Sequence, residues 1–253
     1  MNVCKLFSHW LTFLLHSPSS LTEHSDGIQR EAHLENHMAR RTKQEALETR
    51  AQIINAAELC FFKAGVSHTS LADIAKRAGV TRGAIYWHFE NKGEIFDALL
   101  LRAKTPIQHL EDASRDSEEL DPLGRLHALL SEVFRQTESD PSTRRINEIV
   151  FHKCEYTDQM CDLREHMRLL RQQSQKKLES ALRNAVTKQQ LPERLDVPMA
   201  ARCLQAQVIG TLDSWLLRPE DYSLVEHAER LACSILDTLR YSPALLLPES
   251  KAR

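Results

Sequence analysis

Glycine and proline are scarce in this chain, at 7 and 9 of 253 residues. Together with the lack of β-branched runs, this excludes a turn-dense sandwich or barrel and any collagen-like or low-complexity class. None of the six cysteines (Cys4, Cys60, Cys154, Cys161, Cys203, Cys233) belongs to a C-x-x-C pair. They read as reduced thiols of a cytoplasmic protein. His152, Cys154, Cys161 and His166 lie near one another in sequence, but their spacing fits no usual zinc pattern, so neither metal nor cofactor is expected. There is no Gly-rich phosphate loop, no G-x-S-x-G and no H-E-x-x-H, which removes the main sequence grounds for an enzyme. No apolar run reaches bilayer length. Residues 6–15 come nearest, but Ser8, His9 and Thr12 interrupt them and Lys5 is the only positive flank.

What is present is helical periodicity on an ordinary soluble composition, 42% hydrophobic and 27% charged. The net charge of −2 hides an asymmetry. Residues 38–104 carry 11 Lys/Arg against 7 Asp/Glu, whereas residues 105–253 carry 20 against 24. A basic segment ahead of an acidic body suits a nucleic-acid reader joined to something else.

Residues 69–92, TSLADIAKRAGVTRGAIYWHFENK, are the most informative. Ser70 is placed to cap a helix, with Asp73 three residues on as a carboxylate variant of the capping box. Leu71, Ile74, Ala75 and Ala78 form one apolar face. Gly79 fits the left-handed position that ends a helix, and Val80 returns to the core. Thr81 caps a second helix whose Ile85 and Phe89 face inward. Two short helices across a tight turn are the helix-turn-helix arrangement, which lays the second helix in a major groove. A groove-reading helix needs small residues for close approach, donors for bases and groups that grip phosphate. Arg82 suits guanine O6/N7, Gly83 and Ala84 permit close approach, and Tyr86, Trp87 and His88 suit phosphate and sugar. Thr81 and Lys92 flank the helix as phosphate contacts, and Ser70 joins the same set. Arg40, Arg41 and Lys43 form a basic arm for the backbone or an adjacent minor groove.

The pattern around this motif is all-α. Helix 1 is expected from about Lys43 to Ala64, closed by Gly65. Asn91 caps a fourth helix with Glu94 at its third position, and Pro106 is expected to kink or break it. Helices follow after Asp121-Pro122 and Asp140-Pro141, then a long charged one from Asp158 to about Gln189. Asp196 caps the next, which runs to about Leu217, and the last spans about Leu224 to Arg240. Four segments result: residues 1–37 as an extension, polar and patternless from 17 onward; residues 38–92 as a helix-turn-helix domain; residues 93–241 as a body; and residues 242–253 as a frayed tail. Met38, opening the basic arm, is the expected natural start.

The stretch from Arg41 to Leu99 resembles the N-terminal domain of the TetR family of bacterial repressors. TRRINEIVFHKCEYTDQMCDLRE, Gln190-Leu191-Pro192 and the closing YSPAL resemble the family's AcrR/TtgR-type repressors of multidrug efflux operons. The resemblance implies a homodimer paired through the last two long helices, with about nine helices per subunit. It also implies an apolar effector cavity lined by Leu126, Leu129, Leu130, Val133, Asn147, Val150, Phe151, Ser174, Leu178, Val208, Ile209 and Asp213. The partners so implied are a palindromic double-stranded DNA operator and a hydrophobic small molecule, with no membrane. Two alternatives stay open: a thiol sensor of the same fold using Cys154 and Cys161, released from DNA by peroxide, and a helical interaction module with a vestigial head.

Overall fold

The computed structural model describes residues 28–104, 108–154 and 161–248, with backbone alone at 28–42, 161–164, 166 and 167. Among them are ten α-helices and no strand: α1 Ile28–Ala64, α2 Leu71–Ala78, α3 Arg82–His88, α4 Lys92–Lys104, α5 Gln108–Arg115, α6 Pro122–Ser139, α7 Pro141–His152, α8 Cys161–Thr187, α9 Val197–Leu217 and α10 Leu224–Tyr241. A short 3-10 turn, Pro243–Leu245, follows. No helix of the described residues is long and apolar enough to cross a membrane.

The chain divides into two units, Met1–Glu48 and Thr49–Arg253. In the first, the described backbone is the N-terminal part of α1, where Gln44 donates to Glu48 one turn on at 2.9 Å. Helix 1 thus begins well before Lys43, and residues 28–37, expected to lack structure, are helical. The run from 28 to 64 holds no glycine or proline and is rich in Ala, Glu, Gln, Arg and Leu. Such residues propagate a helix without an apolar face, and it was the face that periodicity could detect.

In the second unit, local chemistry sets each boundary near the motif. Gly65 closes α1 at φ +81°. The full capping box between Ser70 and Asp73 starts α2, and Gly79 ends it at φ +68°. Thr81 caps α3 by accepting the Ala84 N–H at 3.1 Å. At α4, Asn91 accepts the Glu94 N–H at 3.1 Å while the Glu94 carboxylate accepts the Glu90 N–H at 2.8 Å. Ile53, Ala57, Phe61, Ile74, Ile85, Phe89, Ile95, Phe96 and Leu99 form the core beneath the motif, and Ile146 and Ile149 of α7 complete it. The break expected at Pro106 falls in 105–107, outside the described residues; α4 stops at Lys104 and α5 begins at Gln108. The expected start of α8 at Asp158 also lies outside them.

The body is built around α6, which packs against α5, α7, α8, α9 and α10. Its core runs from Leu123 and Leu126 through Phe134 to Trp215, Ala228, Ile235 and Leu239. Trp215 donates its indole N–H to the Tyr222 carbonyl at 2.8 Å, closing the turn between α9 and α10. The expected fraying of the tail is corrected as far as residue 248. Leu245 is buried, and its carbonyl accepts the Asp196 N–H at 2.8 Å. Leu247 donates to the Arg194 carbonyl at 2.8 Å, and the Arg194 Nε returns a bond to the Leu247 carbonyl at 3.1 Å. A leucine at each of 245–247 supplies the apolar anchor that two prolines obscured.

Candidate nucleic-acid interface and effector cavity

Helix α3 is anchored by one side and open on the other. Ile85 is fully buried and Phe89 nearly so, whereas Tyr86 and Trp87 are 51% and 73% exposed. Burying large aromatics is favourable by a few kcal/mol, so leaving two adjacent ones in water points to a surface made for contact. Arg82 is exposed, with its guanidinium 6.0 Å from the Tyr86 ring. A Cβ on Gly83 would meet only the Thr81 hydroxyl at 3.8 Å. The fold therefore does not require glycine there. His88 is half-buried and edge-on to Trp87, with ring centroids 4.5 Å apart. Burial, aided by Arg50, lowers its pKa below the usual histidine value.

Two flanking residues behave differently from the sequence reading. Lys92, assigned to phosphate, donates to the carbonyls of Val66 at 2.6 Å, Ser67 at 3.2 Å and Thr69 at 3.0 Å. An ammonium has three protons, and all three are engaged. Lys92 ties down the loop between α1 and α2 instead of facing DNA. The Ser70 hydroxyl is committed to Asp73, donating at 2.6 Å and accepting the Asp73 N–H at 3.1 Å. Lys43 is exposed, and the side chains of Arg40 and Arg41 lie outside the described residues.

In the body, α4, α6, α7, α8 and α9 line an open-sided cavity of about 240 Å³, and a second compartment of about 280 Å³ reaches α5. The two share Lys104, Val133, Ser174, Gln205 and Ile209. Ten of the twelve expected residues line them: Val133, Asn147, Val150, Phe151, Ser174 and Ile209 in the first, with Leu129, Leu130, Leu178 and Val208 in the second. Two do not. Leu126 is sealed in the core one turn before the cavity begins. Asp213 turns to His152, 3.1 Å from its Nε2, and so joins α9 to α7. Sequence reading named Asn147 and Ser174 but missed the rest of the polar wall. Asn147 donates its amide to Thr137 at 3.0 Å, and Thr137 donates to the Val133 carbonyl at 2.8 Å. Lys104, Glu111, Lys177 and Gln205 stand on the same wall. Lys177 and Gln205 lie at helical spacing from Ser174 and Ile209, already singled out, but a stripe of spacing does not reveal which neighbour faces a void.

Helix α7 belongs to both places. It supplies Thr143, Asn147 and Val150 to the cavity, and Ile146 and Ile149 to the core beneath the motif. Its end accepts the Val66 N–H through the Lys153 carbonyl at 3.1 Å. Its start grips Glu58 of α1, a carboxylate with only 4% of its side chain exposed. Arg145 donates to Glu58 at 2.6 Å, Ser142 at 2.7 Å, and Arg102 of α4 at 3.1 Å. Three donors around one buried carboxylate satisfy the condition under which burying a charge is tolerable.

The thiol alternative finds no support. Burial pushes the Cys154 thiol up, with Lys92 only partly opposing, whereas a reactive thiol needs a lowered pKa. The Cys161 side chain lies outside the described residues.

An outward-facing capped helix carried on a second helix, joined to a helical body with an open-sided cavity, defines the architecture of a helix-turn-helix regulator. Residues 53–99 match "Bacterial regulatory proteins, tetR family", and residues 121–241 match "MAATS-type transcriptional repressor, C-terminal region". The HTH-type transcriptional regulator TtgR of Pseudomonas putida is 50% identical over 208 residues, 82% of this chain and 99% of that one. The chain therefore belongs to the tetR family of transcriptional regulators. Among solved structures, NalD, the secondary repressor of the MexAB-OprM multidrug efflux pump in Pseudomonas aeruginosa, is similar with a TM-score of 0.67 and 31% identity, covering 79% of this chain and 99% of NalD. The complex of SmeT of Stenotrophomonas maltophilia with triclosan is similar with a TM-score of 0.68 and 32% identity, covering 80% and 96%.

Proposed function

We propose that this protein is a ligand-responsive repressor of a multidrug efflux operon, binding a palindromic operator as a homodimer and leaving it when a hydrophobic compound fills the cavity. The observation that carries the reading is α3, anchored by Ile85 and Phe89 while Arg82, Tyr86 and Trp87 face outward. Arg82 reads bases, Gly83 and Ala84 allow close approach, and Thr81, Tyr86, Trp87 and His88 contact the DNA backbone. Arg40, Arg41 and Lys43 add sequence-independent attraction. Pairing through α9 and α10 would present two copies of α3 to successive major grooves, ~34–36 Å apart. Exposed Met199, Leu217, Val225 and Tyr241 on or at the end of those helices support this pairing.

An effector lowers operator affinity only by as much as it prefers the body conformation whose motifs fit the duplex poorly. The route for that preference is α7, which touches both the cavity and Glu58. The test is footprinting on the DNA beside its own gene, with and without triclosan. The expected result is a protected inverted repeat that triclosan exposes. In the same assay, Arg82→Ala should lower operator affinity by ~1–3 kcal/mol while random DNA is bound nearly as before. An equal loss on both DNAs would remove the base-reading role.

A further inference from the structure

The cavity's charge is unbalanced in a way that an apolar effector does not explain. Its described lining holds three cations, Lys104, Arg171 and Lys177, against one anion, Glu111. Glu111 is already satisfied, accepting from Lys177 at 3.0 Å and from Gln108 at 3.1 Å. Lys104 has no hydrogen bond or ion pair among the described residues, and it lines both compartments. A cation in the last turn of a helix is favoured by the helix dipole, but that does not require it to face a void. Water in the cleft still reaches its side chain; the surrounding protein lowers its pKa, Glu111 raises it, and Lys177 lowers it by less. The ammonium thus stands at the water-reached edge where the two compartments meet, with no hydrogen-bonded or ion-paired partner among the described residues.

We propose that Lys104 makes this cavity selective for amphipathic anions: molecules with a flat or branched apolar body and one carboxylate or phenolate. The anionic group sits at Lys104, where the two compartments meet, and supplies the charged partner that Lys104 lacks among the described residues. The apolar body lies along Val133, Leu170 and Ile209, or along Leu178 and Val208. A cation of the same shape is repelled, and a neutral isostere forgoes a charge-assisted bond. The inference rests on the reading of the cavity as an effector site and adds the class of effector.

The test compares three ligands of one shape, 2-naphthoate, 2-naphthamide and 2-naphthylmethylamine, by titration against the full-length protein at pH 7. Wild type should bind the acid at least tenfold tighter than the amide, and the amine weakest. Lys104→Met should bring acid and amide within about twofold of each other, and Lys104→Glu should favour the amine. Far-UV circular dichroism and binding to the promoter fragment show that each variant is folded. Equal binding of acid and amide by wild type, or an acid preference that survives in both variants, overturns the proposal. If triclosan releases the promoter fragment yet no acid preference exists, the inference falls alone. If neither triclosan nor any naphthalene is bound, the effector cavity falls with it.

Discussion

Lys92 holds three carbonyls with one half-buried ammonium, and its acceptors stand 23 to 26 residues earlier in the chain. Burial lowers its pKa while the Cys154 thiol nearby raises it. Removing it leaves those carbonyls without their charged donor, so Lys92→Met should cost about 1–3 kcal/mol of stability, read by thermal unfolding. A phosphate contact and a loop staple separate cleanly in a salt titration. Losing one phosphate contact reduces the slope of log affinity against log salt by about 0.9, whereas Lys92→Met should leave that slope unchanged. The residue shows where sequence reading of the site stops. Ser70, Thr81, Asn91 and Gly79 were legible because each acts within four residues of itself. Lys92, Leu126 and Asp213 were misread because their partners are distant in sequence. Helical spacing says which residues share a face and says nothing of what the face meets. Lys104 was overlooked for the same reason, since only folding puts it on a cavity wall.

At the scale of elements, two helix ends make opposite use of the left-handed region. Gly79 ends α2 at φ +68°, and a Cβ there would meet nothing within 4 Å. Gly79→Ala should therefore destabilise by about 1–2 kcal/mol through backbone strain alone. Gln189, just past α8, takes φ +58° with a full side chain. Gln189→Gly removes that strain but adds chain entropy in the unfolded state, so a smaller gain, up to about 1 kcal/mol, is expected. Urea unfolding of both variants checks the pair; the same sign for both would refute the assignment. The tail offers a third measurement. Ending the chain after Ser242 removes buried Leu245 and the bonds to Asp196 and Arg194, which should cost about 2 kcal/mol or more. A truncated protein as stable as the whole would restore the frayed tail of the sequence reading. Most helices were legible because caps such as Asp121, Asp140 and Asp196 coincide with prolines in the first turn. The early start of α1 was not, because propensity without an apolar face leaves no periodic mark. Gln190 shows the gain from structure in another way. The Gln-Leu-Pro motif was a marker of resemblance, and its physical content is a brace: Gln190 accepts the Leu123 N–H at 3.0 Å and donates to Asp121 at 2.6 Å, fixing the start of α6.

For the whole molecule, the question is how a compound in the body changes the grip of α3 on DNA. Proteins transmit such changes through packed elements that have two arrangements, and the coupling is typically 1–3 kcal/mol, or 5–150-fold in affinity. Here α7 is packed at both ends of the path, and Glu58 is the one buried carboxylate among the described residues that it shares with α1 and α4. If α7 shifts when the cavity fills, Arg145 and Ser142 shift with it, and Glu58 must follow or lose its donors. Losing them would leave a charge buried without compensation, which costs about 3–5 kcal/mol. The link is therefore stiff. Glu58→Gln keeps the shape but removes the charge that makes it stiff. The variant should be less stable by about 3 kcal/mol at most, since amide and guanidinium groups can still rearrange toward the partly exposed sides of Arg102 and Arg145. Its affinity for triclosan, measured without DNA, should stay within about twofold of wild type, because Glu58 does not line the cavity. Its operator affinity without triclosan should fall modestly. The decisive quantity is the ratio of operator Kd values with and without triclosan, which should shrink to roughly a third of the wild-type ratio or less. Linkage requires the same shrinkage when the cycle is measured the other way, as the effect of operator DNA on triclosan affinity. A ratio unchanged in both directions would mean that the signal bypasses this carboxylate and reaches α3 through the apolar contact of Ile146 and Ile149 alone.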